Sequence, residues 1–404
     1  MMPYSKGRRI LPVFFGTLLL LPHLVGTAHA AVDPMRNSDE APKIRVLLKE
    51  KVRSLEISGW DVEAIIPRSV VQRVRRVGRQ AWKWKCHADR VELDGMAGVQ
   101  SRGPVEIQSP AGTLFWGATL LRESIILHPS KGGCSVVNRL DIEKYLDGVV
   151  NGEFSSKWNP EAVSAQVIAA RSYALYQMRE ARRRGAIFDV ESSIRDQVYL
   201  GTRGEEARAS QIVARTRGMV LVAGPAKAGQ PIKAFYHSTC GGHTDAPEDV
   251  WGRAQPGVRG GVVCEHCGSS PRFTWQLRLT TRQLDEALAS TGKGSVIGME
   301  VLSRFSSGRV NKLKIAFLGK GGMISTRIVP GSQLRMLIGS EKFQSTAFSI
   351  LRGEGDSWIF EGRGYGHGVG MCQWGAKEMG SAGFQVHEIL SRYYPSARLM
   401  RAWQ

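Results

Sequence analysis

Residues 141–178, DIEKYLDGVVNGEFSSKWNPEAVSAQVIAARSYALYQM, constrain the fold more than any other stretch of the chain. Asn159 supplies a helix cap, Pro160 suits the first helical position, and Glu161 meets the positive end of the helix dipole. The pattern therefore predicts a long helix over 160–184, with Arg182, Arg183 and Arg184 complementing its C-terminal end and Gly185 stopping it. Val163, Val167, Ala170, Ala174 and Met178 recur at spacings of three and four, and the small alanines call for close packing against another element. Gln166 lies on that inward stripe and needs a hydrogen-bond partner if buried, as a strut or as a wall of a cleft. Before the helix, an apolar strand-like run leads into a loop over 152–159 that carries Glu153 between Phe154 and Trp158. A carboxylate among aromatic rings has its pKa raised towards that of a general acid. The alternative is a solvated loop glutamate, the commoner fate of Glu.

The first thirty residues read as a signal peptide. Lys6, Arg8 and Arg9 precede an apolar run over 10–25, and Ala28-His29-Ala30 offers a cleavage site, so the mature chain is expected to start at Ala31. An uncleaved anchor is the rival reading, but Pro12, Gly16, Pro22 and His23 interrupt a run already short for a span. Export to the periplasm or cell wall follows, with no stable membrane span after cleavage. Losing residues 1–30 removes three basic and no acidic residues, which lowers the formal net charge of +19 to +16. A basic exported chain expects polyanions. No recognition-helix or zinc-finger pattern supports nucleic acid, which leaves the anionic envelope as the partner. Arg73, Arg75, Arg76 and Arg79 form the densest basic patch, read as a solvated face.

The remaining 31–404 hold a linker over 31–42 and short alternating strands over 43–128, a small N-terminal β-rich domain. Residues 139–200 read as mainly helical. A helix over 205–215, strands over 219–223 and 232–236, a helix over 280–290 and an extended RVNKLKIAFLG follow. Strands and helices do not alternate regularly, so the class is α+β: a helical core packed with antiparallel sheet, over 129–404, beside the β-rich domain.

The cysteines are Cys86, Cys134, Cys240, Cys264, Cys267 and Cys372. An even number in an exported chain suggests disulfides, and Cys86 with Cys134 would bridge the N-terminal domain. His237-x2-Cys240 and Cys264-x2-Cys267 instead resemble two halves of a Cys3His zinc site, with His243 and His266 as spare ligands. One structural zinc is favoured over a Cys264–Cys267 or Cys240–Cys264 bridge. Cys372 is expected to be a buried free thiol. Near the C-terminus, GRGYGHGVGMCQWGA crowds glycines around His367, which allows close backbone approach and presents the imidazole to a carbohydrate or peptide cleft shared with Glu153. Trp374 would stack on a sugar or pack. The run has neither Walker nor dinucleotide-binding spacing.

Taken in order, GVVNGE, EAVSAQVIAARSYAL, DVESSIRDQVYLG, AFYHSTCGGHTDAPEDVWG, SGRV at 307–310 and GYGHGVGMCQWGA resemble the stage II sporulation protein D family of peptidoglycan lytic transglycosylases and amidase-enhancer relatives. The resemblance runs from about residue 140 to 398. It implies that Glu153 is the catalytic acid and that Gln166, Arg171, Tyr173, Gln197, Tyr199, His367 and Gln373 line the cleft. The implied substrate is the glycan strand of peptidoglycan, cut between N-acetylmuramic acid and N-acetylglucosamine without a cofactor. Two rival readings remain: a non-catalytic wall-binding protein that recruits or stimulates an amidase, and a zinc-dependent hydrolase. Nothing in the sequence implies sporulation itself.

Overall fold

The computed structural model describes residues 40–67, 72–225 and 229–404. The expected signal peptide, the cleavage site before Ala31 and most of the linker lie outside these residues. Among the described residues, no helix is long and apolar enough to cross a membrane.

The class is α+β, with largely antiparallel sheets. Alternation builds the N-terminal sheet. In Arg79–Cys86, for example, Trp82, Trp84 and Cys86 turn inward while Lys83 and Lys85 stay exposed. This sheet does not end at residue 128. Thr119–Ser130 pairs with Gly133–Asp141, which pairs in turn with Lys43–Val52. A Cys86–Cys134 disulfide ties the last part of the sheet to the first. The boundary expected at 128 therefore falls within a strand, and the β-rich unit extends to Asp141.

The strand-like run before Glu153 and the start of the expected 152–159 loop are corrected. Residues Ile142–Glu153 form a helix, α1, capped by Asp141, whose carboxylate accepts the Glu143 N–H at 2.7 Å. Ile142, Tyr145, Leu146, Val149 and Val150 are all buried at helical spacing. The second helix, α2 (Pro160–Arg183), appears as expected, with Asn159 Oδ1 accepting the Glu161 N–H at 2.8 Å. The helical reading does not extend over 186–200, which is mostly loop containing the two-residue strand Val190–Glu191. The expected strand over 232–236 is likewise irregular up to the short strand Tyr236–His237.

Helix α2 is buried on two sides. Val163, Val167, Ala170, Ala174 and Met178 join the core under the large sheet. Ala165, Ile168 and Ala169 join a second core with Cys240, Cys264, Cys267, Cys372 and the C-terminal helices. A third core lies within residues 274–363, around Trp275, Phe317, Phe343 and Phe360. This segment leaves and re-enters at adjacent points. Thr274–Thr280 runs antiparallel to Ser357–Arg363, and the Gly364 N–H donates to the Phe273 carbonyl at 2.8 Å.

Candidate active site and a buried thiol cluster

Glu153 is the last residue of α1, and Phe154 is its C-cap. Two glycines on one face of α1 let a loop come close. A Cβ at Gly148 would lie 2.6 Å from the Tyr199 ring, and one at Gly152 would lie 2.3 Å from the Val198 carbonyl oxygen. The loop over 198–204 therefore seats directly on α1. From it the Val198 N–H donates to Glu153 Oε1 at 2.5 Å. Burial raises the Glu153 pKa above the ordinary carboxylate value, and the Val198 hydrogen bond only partly opposes this. Placement at the C-terminal end of α1 acts in the same direction, because the negative end of a helix dipole disfavours a carboxylate.

Aromatic rings flank the carboxylate's neighbours. The Phe154 and Trp158 rings are 4.4 Å apart, Trp158 and Trp374 are 5.3 Å apart, and the Lys377 ammonium sits 4.4 Å from the Trp374 ring centre. Gln373 Nε2 donates to the Glu153 carbonyl at 3.2 Å and lies 3.5 Å from Gln166 Oε1. Gln166 is buried, and its Nε2 has no hydrogen-bond partner among the described residues. Gln197 is fully buried beside Val198: it accepts from the Tyr145 hydroxyl and donates to the Tyr236 hydroxyl, both at 2.9 Å. Burial raises the Tyr236 phenol well above its usual pKa, and the charge of Glu153 adds to the effect. Tyr173 donates to Asp196 at 2.8 Å. Its phenol is pushed up by burial, by Asp196 and, more weakly, by Glu153.

The structure thus brings Gln166, Tyr173, Gln197 and Gln373 around Glu153, but not every expected residue. Arg171 is fully buried and grips Glu143 through Nε at 3.1 Å and Nη2 at 2.6 Å, while Nη1 donates to the Met219 carbonyl at 3.1 Å. It is a core ion pair and not a cleft wall. Tyr199 is also buried, with its hydroxyl donating to Asn138 Oδ1 at 2.9 Å, and it packs against α1 at Gly148. Its role is to seat the loop.

His367 does not touch Glu153. Its Nδ1 accepts the Val369 N–H at 3.0 Å, and its ring packs 5.2 Å from Trp251, 5.4 Å from His237 and 6.0 Å from Phe235. It opens onto a cavity of about 450 Å³ whose walls include Asp249, Trp251 and Arg335 but not Glu153, Gln166 or Gln373. Burial, with the Arg309 and Arg335 charges, pushes its pKa down to about 3. The connection to the Glu153 site is indirect and runs through Tyr236, whose backbone bonds His367 and whose hydroxyl holds Gln197. Sequence reasoning missed Tyr145, Tyr236 and Asp196. Tyr236 stood in the quoted AFYHSTC motif, and Tyr145 shares a helical face with Gly148 and Gly152.

The metal expectation is corrected in one ligand. The sulfurs of Cys240, Cys264, Cys267 and Cys372 all lie within 4.8 Å of one another, and all four residues are buried. His237 is outside this group: its Nδ1 is 3.0 Å from the Val369 carbonyl, and its Nε2 has no hydrogen-bond partner among the described residues. His243 and His266 are outside it too; Cys372 is buried and outside any disulfide, as expected, and brings the fourth sulfur. Four sulfurs would close a tetrahedral site and leave no position for substrate, so the group does not suit a zinc hydrolase.

Comparison with known proteins fits this arrangement. Residues 130–222 match a family model described as stage II sporulation protein, and residues 265–370 match one described as a domain of unknown function. An uncharacterized protein of Brachyspira hyodysenteriae is 34% identical over 276 residues, covering 67% of this chain and 70% of its own length. Stage II sporulation protein D of Bacillus subtilis is 27% identical over 323 residues, covering 76% and 87%. The amidase enhancer of Bacillus subtilis is 28% identical over 299 residues, covering 63% of this chain and 40% of its own length. The glycines that seat the loop on α1, the helix α2 behind them and the glutamate between them all fall in the matched stretch, and the chain belongs to the stage II sporulation protein D family.

Proposed function

We propose that the protein is an exported peptidoglycan lytic transglycosylase with Glu153 as general acid and base. Family membership fits a cell-wall-related role. The observation that carries the finer reading is Glu153 itself: a desolvated carboxyl with a raised pKa, held by one backbone N–H, with Phe154 next to it in sequence at the start of a run of packed rings. A protonated carboxyl can give its proton to the oxygen leaving muramic C1 as the β-1,4 bond breaks. The same group, now ionised, takes the proton of the C6 hydroxyl as that oxygen attacks C1 and closes the 1,6-anhydro ring. Because no water enters, one carboxylate suffices where most glycosidases need two. Val198 N–H steadies the carboxylate, the Gln373 amide holds the Glu153 main-chain carbonyl, and the Gln166 amide stands beside Gln373. Nothing in this chemistry calls for a metal.

The test is to incubate pure protein with denuded and with intact peptidoglycan and to look for soluble anhydromuropeptides by mass spectrometry. Their release that disappears in Glu153→Gln supports the assignment. The similarity to an amidase enhancer favours one other reading, a wall-binding protein that stimulates an amidase. That reading gains if no anhydromuropeptide appears while a partner amidase is accelerated, by wild type and Glu153→Gln alike.

A further inference from the structure

We infer that Cys240, Cys264, Cys267 and Cys372 hold one zinc ion, and that this ion is a positioning device for the Glu153 site. The second half rests on the function proposed above; the first does not.

The argument for a metal is convergence. The four thiols come from three separate stretches of chain, yet their sulfurs meet within 4.8 Å of one another, with Cys240 and Cys267 Sγ 3.5 Å apart. Tetrahedral zinc with Zn–S bonds of about 2.3 Å sets sulfurs about 3.8 Å apart. Disulfides need sulfurs only in pairs and give no reason for four to share one point. Donors also surround the sulfurs, as thiolates bound to a metal require. The Cys240 N–H lies 3.3 Å and the Gly375 N–H 3.4 Å from Cys372 Sγ, and the Tyr393 hydroxyl lies 3.2 Å from Cys264 Sγ. Gly375 keeps this space open, because a Cβ there would stand 2.6 Å from Cys264 Sγ and 2.0 Å from the Tyr393 oxygen. A buried, all-sulfur, tetrahedral set selects zinc over the harder cations.

The link to Glu153 is short. Cys372 caps the helix Gln373–Ser381, and the next residue, Gln373, donates to the Glu153 carbonyl. Met371–Cys372 also pairs in parallel with Tyr236–His237, and the Tyr236 hydroxyl holds Gln197 beside Val198. The ion would therefore anchor both contacts that reach the carboxylate's surroundings. It takes no part in the chemistry, because four sulfurs leave no open position.

The test begins with the unmutated full chain, purified without added metal. About one zinc per chain by elemental analysis, with all four thiols unreactive until a chelator is added, is the expected result. Less than about 0.1 zinc per chain, iron in its place, or two disulfides among these cysteines would overturn the site. Cys372→Ser should cut zinc content and midpoint temperature, whereas His237→Gln should leave zinc content unchanged; the reverse order would restore the Cys3His set. Chelation of wild type should lower kcat on glycan at least tenfold with little change in KM, and added zinc should restore it. Full zinc occupancy with kcat indifferent to chelation would leave a metal site but overturn its positioning role. Full occupancy with no turnover in any preparation would count against the glycan-cleaving assignment alone.

Discussion

Gln373 donates its amide N–H to the main-chain carbonyl of Glu153 across 3.2 Å, joining the C-terminal glycine-rich motif to the end of α1. The carbonyl is otherwise one of the unpaired groups left at a helix C-terminus, so the contact both completes the helix end and fixes where the carboxyl emerges. Gln373→Leu keeps the volume and removes the donor. It should cost about 1 kcal/mol of stability, as measured by chemical denaturation, and lower kcat on glycan several-fold more than it alters KM.

Glu153→Gln keeps the shape of the side chain and an oxygen for the Val198 N–H, but it cannot deliver a proton. Turnover should fall by roughly 10²- to 10⁴-fold, with wall binding in a pull-down unchanged. Its stability should move the other way. The folded-state pKa of Glu153 is raised, so the native state holds a proton that the unfolded state loses first, and stability falls as pH rises from the unfolded value of 4.5 through the raised one. The variant lacks that loss, so at pH 7 it should be as stable as wild type or more so, with the difference shrinking towards pH 4. A variant that melts well below wild type at pH 7 would mean the carboxylate is held charged.

His237 and His367 titrate in the opposite sense. Burial lowers both below the usual 6.5, His367 to about 3, so unfolded chains bind protons that the native state refuses. Stability should therefore decline as pH drops from about 6.5 towards 3, and thermal melts in His367→Gln should show a shallower acid slope than wild type. Unchanged slopes would show that His367 protonates within the fold.

Arg171→Met tests whether this residue belongs to the core or the cleft. Glu143 would keep the Gly218 N–H at 3.1 Å and the Trp403 N–H at 2.9 Å but lose its only guanidinium among the described contacts. A loss of about 3 kcal/mol or more in stability is expected, because a buried carboxylate is left unpaired. Specific activity of the folded fraction should stay within about twofold. A kcat loss at unchanged stability would return Arg171 to the cleft.

What could be read from sequence was mostly what is local. The Asn159, Pro160 and Glu161 signals and the alanine stripe located α2 to within one residue of its observed end, because capping and periodicity act over a few positions. Within the stretch read as mainly helical, α1 was not recognised as a helix ending at Glu153, although Ile142, Tyr145, Leu146, Val149 and Val150 carry its period. Gly148, Gly152 and two valines weaken its intrinsic propensity, and the glycines are there for a tertiary reason, the approach of the 198–204 loop. The same limit explains the thiols. Spacing finds ligands that are neighbours in sequence, so it paired Cys240 with His237, while Cys372 arrives through a parallel strand pairing that no spacing records. Glu153 was readable as a candidate from its aromatic neighbours, but Tyr236 and the Val198 N–H were not, since they come from distant parts of the chain, and Tyr145 was not, since its partner Gln197 does.

The way residues 274–363 are stitched in has one more consequence. Thr274 and Arg363 are register partners, so the segment begins and ends at the same place and carries its own core. A unit attached like this is a cassette: it can be lengthened, trimmed or swapped for a short turn without shifting the helices that carry Glu153. Its charged contact with the rest of the fold limits that freedom. Arg309 reaches out of the cassette to a fully buried partner, Asp245, at 2.9 Å and to the Cys240 carbonyl at 2.9 Å. Any replacement that omits this guanidinium strands a carboxylate in the interior, so the cassette is exchangeable only together with a latch of this kind.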